Sequence, residues 1–139
     1  MAECEILFRG QTRRKNEWAK MPSSNWVYGG IFVPEDNLNF AIIIAQQENA
    51  VEKHSVYGDT VGQYTGLTDK NGTKIFEGDI IIYGFKPCVV KWDNINACFS
   101  LYENVKTQIS GFNADTMKLL EIIGNIYDNP ELLKEAEQK

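Results

Sequence analysis

The chain has 139 residues but one histidine, three cysteines and four prolines, and each scarcity closes off a class of chemistry. With His54 alone, a catalytic triad or a histidine metal site would need unusual partners. Cys4, Cys88 and Cys98 are odd in number and share no Cys-x-x-Cys spacing, so neither a disulfide framework nor a zinc site is expected, and a reducing cytoplasm is the natural compartment. Long apolar runs are missing too. The longest, Phe40 to Ala45, falls far short of the roughly 20 residues that span a bilayer, and no charged segment followed by a long apolar run opens the chain. Neither a membrane partner nor an export signal is expected. Gly62, Gly66, Gly72 and Gly78 are spread through turns instead of clustering before a helix, which argues against nucleotide hydrolysis. Positive charge is also short: 14 Lys and Arg against 19 Asp and Glu give a net charge of −5, unlike a surface-wide phosphate-binding field.

What is present is apolar and strand-forming. A hydrophobic fraction of 43% in a chain of this length suits one domain that buries roughly two-thirds of its unfolded surface without a staple. The most informative stretch runs from Val61 to Tyr83. Asp69 to Gly72 forms a polar turn ending in Asn71-Gly72, a dipeptide that tolerates positive φ at both central positions of a tight hairpin, so Gly62 to Leu67 is expected to fold back on Lys74 to Phe76. Glu77-Gly78-Asp79 then redirects the chain into the β-branched strand Ile80 to Tyr83.

Elsewhere, Glu5 to Arg9 reads as a first strand and Asn25 to Val33 as a second, bent or bulged at Gly29-Gly30. Phe40 to Ala45 reads as a central strand covered on both faces, and Gln46 to Lys53 as a loop or a single helical turn. Cys88, Val90 and Trp92 alternate with Val89 and Lys91 before a turn at Asp93 to Asn96. Pairing Val90 and Trp92 with Phe99 and Leu101 gives one apolar face, and such a Trp-containing hairpin suits a small bent barrel. A polar loop from Glu103 to Asp115 leads to a last long strand, Met117 to Tyr127, in which Gly124 permits a kink or a close approach. Asn129-Pro130-Glu131 starts a terminal helix with Asn as cap and Pro at the first position.

Candidate chemistry is sparse. Glu77 and Asp79 are a carboxylate pair two residues apart, but the intervening glycine weakens that geometry and their expected role is to satisfy turn amides. One or both of Cys88 and Cys98 read as small apolar fillers of the core, since only Lys91 lies close enough in sequence to lower a thiol pKa. Arg9, Arg13, Arg14 and Lys15 form a basic cluster. Together with exposed aromatics drawn from Trp18, Trp26, Tyr28, Tyr64, Tyr83, Trp92 and Phe99, they outline a nucleic-acid-binding barrel as an alternative function.

The motifs Phe8-Arg9-Gly10, Asn25-Trp-Val-Tyr-Gly29, Val61 to Ile82, Val89 to Trp92 and Ile122 to Leu133 resemble, in order and across nearly the whole chain, the YopX family of small phage- and prophage-associated bacterial proteins. The segment between Gly10 and Asn25 is longer and more basic than the family pattern. The resemblance implies a β-rich, oligomeric, phage-associated protein and transfers no catalytic residue. Its signature positions, Gly62, Gln63, Tyr64, Gly66, Asp69, Gly72, Glu77, Gly78, Asp79, Trp92, Gly124 and Asn125, read as structural.

The expectation is therefore a mainly β, single-domain cytoplasmic protein over residues 1–139: an N-terminal β layer over 1–60, a small barrel-like half over 61–129 and a C-terminal helix over 130–138. It is expected to bind without catalysis, as a homo-oligomer or on a phage or host protein, with no cofactor and no metal.

Overall fold

Alternating inward and outward side chains drive most of the chain into antiparallel strands. The computed structural model describes residues 5–12, 25–34, 39–47, 49–103 and 108–133. The class is mainly β, as expected. Chain contacts divide it into two compact units, Met1–Gln63 and Tyr64–Lys139.

In the first unit, β1 (Phe8–Gln11), β2 (Trp26–Phe32), β3 (Phe40–Gln47) and β4 (Ala50–Tyr57) pair in chain order. Strand β2 changes partner midway. Trp26 to Gly29 pair with β1, whereas Gly30 to Phe32 pair with β3, so the bend expected at Gly29-Gly30 is where the sheet turns. A single antiparallel bridge, Thr12 to Val56, links the end of β1 back to β4. Gly10 allows this approach, because a Cβ there would lie 2.8 Å from Val56 Cγ2. One bridge is not a ladder, so the ring of strands curls without becoming a closed barrel. Its core is Ala41, Ile43 and Val56, flanked by Phe8, Val27, Ile31 and Val61. The start of β5 (Gly62–Thr68) also pairs with β1, Gly62 opposite Arg9.

Two expectations for this unit change. Gln46 to Lys53 is not a loop: β3 runs to Gln47, β4 begins at Ala50, and Gln47 pairs with Ala50. Its polar residues suit an outer strand whose ladder to β3 overrides weak local propensity. Strand β3 is central in the pairing, yet only its Ala41 and Ile43 side is buried; Ile44 is exposed.

In the second unit, β5 and β6 (Lys74–Phe76) form the expected hairpin, Tyr64 opposite Phe76. The turn differs from a tight Asn-Gly type, since Gly72 has φ +79° while Asn71 is not in the left-handed region. The Asp69 carboxylate organises it instead. Buried Asp69 accepts from the amides of Asn71 at 2.9 Å and Thr73 at 3.0 Å through Oδ1, and from Ile122 at 3.1 Å through Oδ2. Strands β7 (Asp79–Tyr83), β8 (Lys86–Asp93), β9 (Cys98–Tyr102), β10 (Gln108–Gly111) and β11 (Ile122–Asn125) make a five-stranded sheet, ordered β10-β9-β8-β7-β11. The β8–β9 register is the expected one: Val90 faces Leu101 and Trp92 faces Phe99. No pairing joins β10 to β11 among the described residues. Ile75, Ile81, Cys88, Val90, Leu101 and Met117 fill the core.

The region after Glu103 is less loop-like than its composition suggests, because β10 lies within it. The long strand expected from Met117 is instead a short helix, α1 (Ala114–Met117), followed by the four-residue β11. Asn113 Oδ1 accepts from Thr116 N at 2.9 Å, an N-cap that starts the turn and sends Met117 into the core. At the C-terminus, Glu131 to Leu133 are helical, and the rest of the helix expected to reach 138 lies outside the described residues. Asn129 does not cap this helix with its side chain. Its Oδ1 accepts from Asn125 N at 3.3 Å and sits where a Cβ on Gly124 would be, so Gly124 serves the expected close approach.

Candidate binding face of the first unit

Alternation in β2 sends Val27, Gly29 and Ile31 to one side and leaves Tyr28, Gly30 and Phe32 exposed on the other. Register carries that outer side across the sheet. Phe32 lies opposite Ile42 and that opposite Ser55; Gly30 lies opposite Ile44 and that opposite Lys53; Phe40 lies opposite Tyr57, and Gln46 opposite Val51. Directly opposed side chains stand about 5 Å apart, so these rows form one continuous surface. Phe32, Ile44, Val51 and Tyr57 on it are 36–59% exposed, while Tyr28, also exposed, lies opposite Arg9 where β2 pairs with β1. The lone charge in these rows is Lys53. This surface is apolar, aromatic at its ends and nearly uncharged, in a chain whose net charge is −5.

Of the basic cluster, only Arg9 lies among the described residues. Arg9 is 6% exposed, with its guanidinium carbon 4.6 Å from the centroid of the Trp26 ring, so its charge is held against an indole and not offered to a backbone phosphate. Arg13, Arg14 and Lys15 lie outside the described residues, as does Trp18. Of the remaining aromatics, Tyr64 is buried against Phe76, ring centroids 5.6 Å apart, and Tyr83 and Phe99 pack on the second core. Trp92 departs from its expected interior place. It is 45% exposed and meets Phe99 edge-on at 5.1 Å, next to the turn that Asp93 organises through its bonds to Ile95 N and Asn96.

The other candidates are engaged locally. His54 Nε2 lies 3.1 Å from Glu52 Oε2, two residues along the same strand face. Asp79 is buried and accepts from Phe76 N at 2.7 Å, while Gly78 between it and Glu77 has φ +94°; the motif acts as a turn. Burial pushes the Cys88 thiol above its ordinary pKa, away from nucleophilic character, and Cys98 is exposed. Asn125 Oδ1 accepts from the amides of Tyr127 and Asp128 at 3.0 and 2.9 Å. Among the described residues no group of three His, Cys, Asp or Glu is placed to hold a metal ion, and no helix is long and apolar enough to cross a membrane. The exposed face itself was not legible as a site, because its residues carry the same β-branched and aromatic signal as a core.

Antiparallel sheets with polar side chains tied into turns define a small mainly β protein. The family model for "YopX protein" matches residues 7–134, and the chain belongs to the YopX family. The crystal structure of protein EF1440 from Enterococcus faecalis shares the fold, with a TM-score of 0.55 and 21% identity over 94% of this chain and 99% of that one. No curated protein matches the chain significantly.

Proposed function

We propose that this chain is a non-enzymatic phage or prophage accessory protein that acts by associating with protein, its own copies first, through the outer face of β2, β3 and β4. The observation that carries this reading is the concentration of Phe32, Ile44, Val51 and Tyr57, all partly or mostly exposed, in adjoining rows of one sheet. Scattered single apolar residues are ordinary on a surface, but a continuous patch of roughly several hundred Å² marks an interaction site. Its near-neutrality favours a protein over a polyanion, and the burial of Arg9 takes one contact away from the nucleic-acid alternative. The phage setting is supported by family membership.

Sedimentation velocity over a concentration series tests this directly, comparing the native chain with Phe32→Glu. Association that survives high salt in the native chain and is lost in the variant is expected, since an apolar interface is little screened. A native chain that stays monomeric and recovers no protein partner, or a variant that associates unchanged, overturns the reading. Anisotropy of labelled DNA and RNA gives the alternative its chance: binding that weakens steeply with salt would replace protein association with phosphate contact.

A further inference from the structure

Asn71-Gly72 is the one Asn-Gly pair in the chain; every other asparagine is followed by a residue that carries a side chain. The pairing matters chemically. An asparagine side-chain amide is open to attack by the backbone nitrogen of the next residue, and glycine, with no Cβ, leaves that nitrogen least shielded. Both residues are exposed at the tip of the β5–β6 hairpin, where water and hydroxide reach them.

Within the second unit this tip is tied to the start of β11 through Leu120, Glu121 and Ile122. Lys70 N donates to Leu120 O at 2.9 Å, and Ile122 N donates to Asp69 Oδ2 at 3.1 Å. Asn71 Nδ2 donates to Glu121 Oε1 at 3.2 Å, while Lys70 Nζ lies 3.5 Å from Glu121 Oε2. Both nitrogens that deamidation requires are therefore engaged. Gly72 N, the attacking atom, donates to Asp69 O at 3.0 Å, and Nδ2, the leaving atom, is held by Glu121. Each of these bonds must open before the side-chain amide and the glycine nitrogen can close a ring.

We propose that Asn71 is a deamidation site, guarded in the folded chain by Glu121, and that its conversion unlatches the β5–β6 turn from β11. Gly72 N gives its proton to hydroxide and bonds to Asn71 Cγ. The Cγ–Nδ2 bond breaks, and the nitrogen leaves as ammonia with a proton taken from water, which restores the hydroxide. The five-membered imide then opens by adding water. Opening at Cγ leaves aspartate; opening at the backbone carbonyl leaves isoaspartate, in which the main chain runs through Cγ and is one atom longer. Either product exchanges the Nδ2 donor for a new negative charge close to Glu121 and Asp69, offset in part by the Lys70 ammonium. Isoaspartate also alters the spacing on which the bond from Asp69 N to Thr73 O depends. Water does not reverse the conversion, so the turn records the age of the molecule.

Ageing the purified full chain in mildly alkaline buffer, followed by peptide mapping and isoaspartyl methyltransferase labelling, should place the earliest conversion at Asn71. Glu121→Ala frees the side-chain amide and should speed conversion roughly threefold to tenfold; Glu121→Gln keeps an acceptor oxygen and should fall between that variant and the native chain. Asn71→Asp, which is the aspartate product, should melt roughly 2–4 °C below the native chain. In the Glu121→Gln background, where the substituted amide can donate to the new carboxylate, the same change should cost less. No conversion at Asn71 in either the native chain or Glu121→Ala overturns the site. Equal rates in those two, or in the folded chain and the chain unfolded in urea, overturn the guard, and the urea comparison stands even where Glu121→Ala folds poorly. An Asn71→Asp variant that melts with the native chain overturns the unlatching.

Discussion

Strand β7 carries Ile80-Ile81-Ile82 and strand β3 carries Ile42-Ile43-Ile44, near-identical runs with different fates. In the second unit, Ile80 and Ile81 on opposite faces of β7 are both fully buried; in the first, Ile43 is fully buried while its neighbour Ile44 is exposed. Composition sets how willing a segment is to form a strand, but what packs on each face decides whether its side chains stabilise the fold or stay available for binding. The second unit has the larger buried core and ties its turns with Asp69, Asp79 and Asp93. The first packs a core cluster of Ala41, Ile43 and Val56 among its described residues and shows apolar side chains to solvent.

The strongest way to break that contrast is to shorten both isoleucines. Ile81→Ala removes methyl groups from a filled core and should cost about 3–4 kcal/mol, whereas Ile44→Ala should cost about 1 kcal/mol or less. Urea unfolding of each variant gives the comparison, and equal losses would mean that β3 is covered in solution. Next in size is Asp69→Ala, which removes a buried carboxylate and leaves the partly buried amides of Asn71, Thr73 and Ile122 without their acceptor. A loss of about 3 kcal/mol is expected; a loss below about 1 kcal/mol would show that water replaces the carboxylate and that the turn is less closed than its geometry indicates.

Within the first unit the adjacent glycines sharpen the same contrast at smaller scale. Gly29→Ala must push the backbone of Ile44 aside and should destabilise by about 2 kcal/mol, while Gly30→Ala meets open space and should stabilise by up to about 0.5–1 kcal/mol. Thermal melts of the pair should move in opposite directions. A fall in both would mean that the bend in β2 needs two glycines.

How much of this was legible follows the same division. The β5–β6 and β8–β9 hairpins were readable because turn residues and alternation agree there, down to the facing of Trp92 and Phe99. Strand β4 was not, since Glu52, Lys53, His54 and Ser55 carry no strand signal and gain their conformation from pairing with β3. Helix α1 carries a short local signal, Asn113 three residues before Thr116 with Asp115 in the first turn, inside a segment whose polar composition otherwise suits a loop. Arg9 looked like surface charge because sequence separates it from Trp26 by 17 positions, and only the β1–β2 register brings guanidinium and indole together. The binding face was hidden by the same fact that defines it, because an exposed Ile44 and a buried Ile43 look alike in one dimension.

The thiols separate buried from exposed surface by the smallest effect. Cys98 is exposed on β9 and Cys88 is fully buried on β8, so in a Cys4→Ser background one thiol should react with Ellman's reagent at once and the second only on unfolding. Burial, the first cause, raises the Cys88 pKa above its ordinary 9.0. A group whose folded pKa is raised holds its proton more tightly in the folded state. Its contribution is therefore fully present below pH 9 and is lost as pH rises through the raised value. Stability of the native chain should accordingly decline as the solution passes above pH 9, and Cys88→Ala, less stable at neutral pH, should decline less over the same interval. Rapid reaction of both thiols in the folded protein would place Cys88 at a surface that opens, and the second unit would then be no more closed than the first.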